Sequence, residues 1–355
     1  MNPPRWIEVD LGAIARNTRA VRGLLDPSTR FSAVVKADGY GHGAAAAGRT
    51  ALAHGADALA VAELAEALVL RRAGIKAPIL VMGPVPPENA PIAIKERLAV
   101  MMDDPRLLSA LARAARVGRP AAVHVKADLG MARWGVPLGE LRDFLAKVRR
   151  TKGVRLEGVF AHPGYMPGKN GPRSEALVEE FFSVLGGAPN LEGVEIHVAD
   201  SALLLNFPRF QKSRVRIGNL IYGIVPGGSP LKLENPWQAF SRLVRVRTIA
   251  EGRPVGYGGE FIASRAMTVA SAPTGYAHGL TMEPAGFRAG FGSPVFWGFV
   301  RGVRCPFVGR VGMGHVLLDV SAVPDVRPGD AVRLPLRRTA SAGWARVYKP
   351  VSRAR

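Results

Sequence analysis

Cysteine is nearly absent from this chain: Cys305 is the single one among 355 residues. That excludes a disulfide framework and any zinc cluster built on several thiolates, and no metal is expected. Long apolar runs are also missing, and none approaches the roughly 20 residues that a membrane helix needs. The opening residues, MNPPRWIEVD, carry prolines and acids where a signal peptide would carry basic and then apolar residues, so no secretory leader is expected. Amide side chains are scarce, with eight Asn and two Gln. What is plentiful is apolar: hydrophobic residues make up 48% and charged residues 21%, enough to bury a sizeable core. These features together predict a cytoplasmic enzyme without a membrane anchor.

Acidic residues are few relative to basic ones, 28 against 48, for a formal charge of +20. Residues 237–355 hold 17 Lys/Arg and 6 Asp/Glu, a net +11 in one third of the length. Such a field attracts anions. Because the basic residues are scattered among apolar ones and never run five or six together, nucleic acid is not the expected partner.

Residues 10 to about 236 repeat one unit, a short apolar run followed by an amphipathic stretch. Candidate strands are Phe31–Lys36, Ala58–Ala62, Pro78–Met82, Leu98–Met102, Ala121–Lys126, Leu156–Ala161, Val194–Val198 and Ser213–Ile217. The clearest helix is Asp104–Gly118, with Asp104 as N-cap and Pro105 in the first turn. Eight strands alternating with helices predict a (β/α)8 barrel, with an open doubly wound sheet as the alternative. After Pro236 short apolar runs are separated by Gly and Pro, which predicts a mainly β domain. The expected domains are therefore 1–236 and 237–355.

The segment Phe31-Ser-Ala-Val-Val-Lys36-Ala-Asp-Gly-Tyr-Gly-His-Gly43 delivers a lysine to the carboxyl end of a strand, the end where barrel enzymes keep their chemistry. A lysine buried there loses solvation for its charge and becomes a usable amine; the plain alternative is a lysine reaching out from a strand end. Other polar residues close other strands: Lys126 and Arg133, His162, Ser201, Arg216. Phosphate sites commonly form after strands seven and eight of such barrels, where Ser201 and the Gly218-Asn219 backbone stand. A lysine, a phosphate site and ring-facing groups together suggest pyridoxal 5′-phosphate (PLP) held as a Schiff base.

The motifs WIEVDLGAIARN, VVKADGYGHG, HVKADLGMARWGV, GVFAH, HVADSALL, RVRIGNLIYG, VGYGGEF, PTGYAHG and RCPFVGRVGMGH resemble, in order from Trp6 to about Leu334, the alanine racemase family. The resemblance implies a PLP-binding barrel followed by a β domain, a homodimer with shared active sites, an amino-acid substrate, and supply of D-alanine for peptidoglycan. It further implies that Lys36 is the Schiff-base lysine and one catalytic base, with Tyr40 near the phosphate. Arg133 would face the cofactor's ring oxygen and the substrate carboxylate, oriented by a Lys126 that is often carbamylated. His162 would lie by the ring, with Ser201, Gly218 and Asn219 at the phosphate and Arg216 at the pyridine nitrogen. Tyr276 would line the substrate entrance, and the Met313 amide of a partner would meet the substrate carboxylate.

Five positions depart from the family pattern. The tyrosine that serves as second base is Phe261, in Tyr257-Gly-Gly-Glu-Phe261, which leaves Tyr276 as a substitute. His278 stands for an acid, Gly314-His315 for an Asp-Gln pair, and Asp200 for an asparagine before Ser201; the C-terminal segment around Trp344 is short. The expected activity is racemisation of alanine. The alternatives are a PLP-binding member with weak or no racemase activity, or one-base PLP chemistry on another amino acid.

Overall fold

The computed structural model describes residues 3–115, 119–188, 191–280, 296–341 and 343–351. The chain divides into two compact units. The larger is Leu11–Asn235, joined by Val351; the smaller combines the first ten residues with Pro236–Pro350.

After β1 (Arg5–Asp10), the larger unit holds parallel strands β2 (Arg30–Val34), β3 (Ala58–Val61), β4 (Ile79–Val81), β5 (Ala99–Met102) and β6 (Ala121–Asp128). A two-residue β7 (Val136–Pro137) pairs with β6, and β8 (Val154–Phe160), β9 (Glu195–His197) and β10 (Arg214–Ile217) follow. The order is β10-β2-β3-β4-β5-β6-β8-β9, a nearly closed eight-stranded barrel. The ladder is interrupted only between β9 and β10. There the Ser213 hydroxyl accepts from the Ile196 amide at 2.6 Å and donates to the Ile196 carbonyl at 3.1 Å, while the Arg216 amide donates to the Ala199 carbonyl at 3.0 Å. Strands β3 and β4 are buried throughout, as parallel strands covered on both faces must be. All eight barrel strands thus lie within a residue or two of the positions expected from the apolar runs.

Helices α1 (Leu11–Arg22), α2 (Lys36–Tyr40), α3 (Ala44–Ala53), α4 (Leu64–Arg72), α5 (Ala90–Lys95), α6 (Pro105–Ala114), α7 (Leu141–Arg150), α8 (Gly171–Gly186) and α9 (Ser201–Asn206) connect the strands. Asp104 caps α6 as expected, its carboxylate accepting from the Arg106 amide at 2.8 Å. Leu107, Leu108 and Leu111 supply the buried face of α6; the end expected at Gly118 lies outside the described residues. No described helix is long and apolar enough to cross a membrane.

The smaller unit is mainly β. Its largest sheet joins β11 (Trp237–Arg242), β16 (Trp297–Val300), β17 (Val303–Pro306), β19 (Ala331–Leu334) and β20 (Ala345–Lys349) to β1, in the order β17-β16-β19-β11-β1-β20. A second sheet has β12 (Arg245–Ile249), β15 (Met267–Ala272) and β18 (Val316–Asp319), and β13 (Pro254–Val255) pairs with β14 (Phe261–Ile262). Strand β1, expected with the barrel, instead pairs antiparallel with β11 and parallel with β20. The reason is burial: Trp6, Ile7 and Val9 of β1 are covered, and both of its edges are hydrogen-bonded.

Candidate active site

Strand β2 ends two residues before Lys36. The backbone then enters a conformation that L-residues avoid: Ala37, Asp38, Gly39 and Tyr40 have φ of 51°, 52°, 63° and 54°. A left-handed turn costs about 1–2 kcal/mol per non-glycine residue, so its surroundings must impose it. The Gly39 and Gly41 amides donate to the Val35 and Ala37 carbonyls at 2.8 and 3.0 Å. The Asp38 carboxylate accepts from the Ala44 amide at 2.8 Å, anchoring the start of α3. Glu66 of α4 accepts from the Ala37 amide with one oxygen and from the Ala62 and Glu63 amides with the other, tying the end of β2 to the end of β3.

This turn sets Tyr40 in the wall of a cavity of about 430 Å3 at the carboxyl ends of the barrel strands. The Tyr40 ring stacks on buried Tyr222 with centroids 4.9 Å apart, and the Tyr222 hydroxyl donates to the Val34 carbonyl at 3.2 Å. On its other side stands Gly218, where a Cβ would come within 2.5 Å of the Tyr40 hydroxyl. Only glycine lets ring and backbone share that space. Every barrel residue singled out from the sequence lines this cavity, from Lys36 and Tyr40 through Lys126, Arg133, His162 and Ser201 to Arg216, Gly218 and Asn219.

The Lys36 amine makes no hydrogen bond or ion pair among the described residues. Burial, aided by the Arg133 guanidinium, lowers its pKa. Lys126 is lowered to about 8 by burial and by Arg133, and its Nζ donates to the Trp134 carbonyl. Arg133 itself lies over the Trp134 ring, 4.6 Å from its centroid. Burial lowers His162 to about 4 although Asp200 stands near it. Burial raises Tyr40 to about 12, with the Asp200 charge adding to the effect. Ser201 accepts from the Leu220 amide at 3.4 Å, so the turn after β10 closes onto the start of α9.

Arg216 is buried and firmly held. Its two terminal nitrogens donate to the His197 and Ala161 carbonyls at 2.6 and 2.8 Å, and one also meets the His197 ring nitrogen Nδ1 at 2.9 Å. Its Nε–H has no hydrogen-bond partner among the described residues. His197, Glu66 and Tyr222 take part here although no motif chemistry points to them. The first two sit in plain view, His197 within HVADSALL and Glu66 at the start of an ordinary amphipathic helix, and nothing in spacing alone marks them.

Tyr276 and Met313 belong to the smaller unit, where they are neighbours. The Tyr276 amide donates to the Gly312 carbonyl and the Ala277 amide to the Met313 carbonyl, each at 3.1 Å. Gly275 permits this approach, since a Cβ there would lie 2.0 Å from the Gly312 carbonyl oxygen. Met313 is 62% exposed and Tyr257 66%, and the Tyr257 ring stacks on His315 at 6.3 Å. Phe261 turns its ring onto the apolar cluster of Val255, Ala263, Met267, Val269 and Val308.

The chain is similar to known proteins over most of its length. The family descriptions "Alanine racemase, N-terminal domain" and "Alanine racemase, C-terminal domain" match residues 9–226 and 237–347. The alanine racemase of Desulfovibrio desulfuricans is 35% identical over 340 residues, covering 93% of this chain and 89% of its own. That of Symbiobacterium thermophilum is 36% identical over 337 residues, covering 93% and 87%. Among solved structures, the alanine racemase of the D-cycloserine producer Streptomyces lavendulae superposes with a TM-score of 0.88 at 28% identity, covering 99% of this chain and 98% of its own. With both halves matched in order and the barrel motifs converging on one cavity, the chain belongs to the alanine racemase family and is an isomerase of that family.

Proposed function

We propose that the chain interconverts L- and D-alanine, using PLP held in the barrel cavity. The observation that carries this reading is Lys36, an amine without a protein partner and with a lowered pKa, at a strand end facing buried Arg216 across one cavity. The residues present fit the cofactor on two counts. Gly218, lacking a Cβ, lets the Tyr40 hydroxyl stand directly against its backbone at the cavity wall, and Arg216 spends three of its five N–H groups on protein acceptors, leaving two without a protein partner among the described residues.

On this reading Lys36 would hold the cofactor, with Tyr40, Ser201 and the Gly218 and Asn219 backbone at its phosphate. Arg216 would serve the ring nitrogen, His162 would lie by the ring, and Arg133 would serve the ring oxygen and the substrate carboxylate. When bound, PLP supplies the conjugated system that makes the α-hydrogen of an attached amino acid acidic. The protein then has two tasks. Lys36, whose charge burial and Arg133 disfavour, would take or return the α-proton on one face. Arg216 can only donate, so a ring nitrogen placed against it would act as an acceptor.

Inversion needs a second proton carrier on the other face; the family position holds Phe261, and Tyr276 of the partner subunit is the residue left to substitute for it. The Met313 amide of the partner subunit meets the substrate carboxylate, which makes the enzyme a homodimer with shared active sites. Lys126, brought to about 8, has enough neutral amine to take up carbon dioxide as a carbamate, whose negative charge Arg133 and Arg216 favour. The single cysteine suits the reducing cytoplasm.

The test is borohydride reduction of the PLP-loaded enzyme followed by peptide mapping. Lys36 should carry the cofactor; a tag on Lys126, or on no lysine, refutes the assignment. Cross-linking from a probe on Lys36 should join two chains, and a monomer at working concentration would count against the shared site.

A further inference from the structure

Behind Arg216 the barrel interior holds a second set of polar groups. The Nε2 atom of His197 lies 2.8 Å from the Nδ1 atom of His124, both rings buried. The Nε2 atom of His124 in turn faces a carboxylate oxygen of Glu157 at 3.9 Å, within electrostatic range though beyond a hydrogen bond. Glu157 is held by Arg155 and lines a separate cavity of about 370 Å3 at the amino ends of β4, β5 and β6. A line of four side chains therefore runs from one mouth of the barrel to the other.

Strand β8 is shaped around this line. Its register against β6 slips between Val123 and His124: Val123 pairs with Leu156 and His124 with Gly158, leaving Glu157 as the unmatched residue of a bulge. Bulges re-aim side chains, and this one stands beside the histidine that its glutamate faces. The next residue is Gly158, where a Cβ would fall 2.2 Å from the Nδ1 atom of His124. Bulge and glycine each make room for the His124 ring in this pose.

The direction of the hydrogen bonds follows from donor counting. A guanidinium has no acceptor, so the Nδ1 atom of His197 accepts from Arg216. A neutral imidazole has one N–H, so that of His197 is on Nε2 and donates to the Nδ1 atom of His124. The proton of His124 is then on Nε2, pointing at Glu157. Burial and the Arg214 and Arg216 charges hold both rings neutral, His124 at about 3 and His197 well below its ordinary range.

We propose that His197, His124 and Glu157 are positioning residues, a one-way relay that holds the Arg216 guanidinium in register and keeps its Nε–H turned to the cavity. Of this line only Arg216 is among the residues that line the cavity at the carboxyl ends of the strands. The tautomer assignment stands independently of the proposed function; only the cofactor readout rests on it.

The test begins with the cofactor-free protein, 15N-labelled at histidine, read by long-range proton–nitrogen correlation. His197 and His124 should both be neutral at pH 7 with the proton on Nε2. A proton on Nδ1 of either ring, or a charged ring, overturns the relay. Next, His124→Gln keeps an acceptor for His197 and a donor for Glu157, whereas His124→Leu keeps neither. PLP affinity and the pH dependence of the bound cofactor's absorbance should stay within about threefold of wild type in the Gln variant. In the Leu variant affinity should fall about tenfold and the absorbance profile should move, in line with losses seen when supporting partners are removed. If His124→Leu folds and matches wild type in His197 tautomer, affinity and absorbance, the proposal fails. If it does not fold, Glu157→Gln takes its place, being half-exposed and at the end of the line: the His124 nitrogen shifts should move, and unchanged shifts refute the coupling. Wild-type protein with the expected tautomers but no affinity for PLP would leave the relay standing and refute the cofactor reading instead.

Discussion

The Asp200 carboxylate divides its two oxygens between two tasks: Oδ1 accepts from the Ala202 and Leu203 amides at 3.0 Å each, capping α9, and Oδ2 lies 3.6 Å from the Nδ1 atom of His162. The cap explains why an acid is tolerated where the resemblance leads one to expect asparagine, since both residues cap helices about equally well.

Asp200→Asn should keep that cap and remove a negative charge from the cavity. A phosphate held near Ser201 would no longer be repelled, so PLP should bind several-fold tighter with the melting temperature little changed. The Tyr40 phenol, raised partly by Asp200, should titrate lower than about 12. Equal or weaker PLP binding in a fluorescence titration would show that the carboxylate helps the site.

Acid should destabilise the fold through its buried neutral histidines. His162 titrates at about 4, His124 at about 3 and His197 well below the ordinary range, so each binds its proton more readily in the unfolded chain. Folded pKa values below the unfolded value near 6.5 mean that stability is complete above that pH and is lost as pH falls toward 4 and 3. Each such histidine contributes a slope of up to about 1.4 kcal/mol per pH unit. Urea midpoints measured from pH 7 to pH 4.5 should fall accordingly, and His124→Gln should flatten the slope by about one proton. A flat profile in wild type would mean that these rings are charged in the native state.

Gly314→Asp should change substrate preference more than cofactor binding. A Cβ at this position meets nothing within 4 Å, so the side chain can be accommodated. Added volume and negative charge at the proposed entrance should disfavour long and anionic amino acids relative to alanine. Rates for alanine, serine, lysine and glutamate provide the check, and an unchanged ranking would mean that the position does not select substrate.

Phe261 should leave racemisation slow and lopsided. General acid–base groups typically contribute about 10²–10⁴-fold, and the family hydroxyl is missing here. Phe261→Tyr should raise the rate about tenfold or more. Deuterium wash-in from solvent should be fast for one alanine enantiomer and slow for the other in wild type. Rapid wild-type racemisation that Tyr276→Phe abolishes would assign the second base to Tyr276; no effect of either change would refute both assignments.

The eight strands are legible in the amino-acid sequence because parallel barrel strands are buried on both faces, so each reads as an unbroken apolar run such as Ala58–Val61 between polar helices. Lys36, Arg133, His162 and Arg216 are legible because the chemistry of the site sits at the ends of those runs, and because their motifs resemble a family. Sequence is silent where the deciding contact is far away in the chain. Trp6, Ile7 and Val9 carry no local mark of the unit they join, and only pairing with β11 and β20 assigns β1 to the smaller unit. Nothing local predicts a left-handed turn at Ala37–Tyr40; Glu66, Ala44 and the stack on Tyr222 impose it. His124 and His197 are 73 residues apart, and only barrel closure brings their nitrogens to 2.8 Å. Local patterning records what each residue must bury or expose, whereas hydrogen-bond direction, strain and charge depend on which neighbours the closed fold supplies.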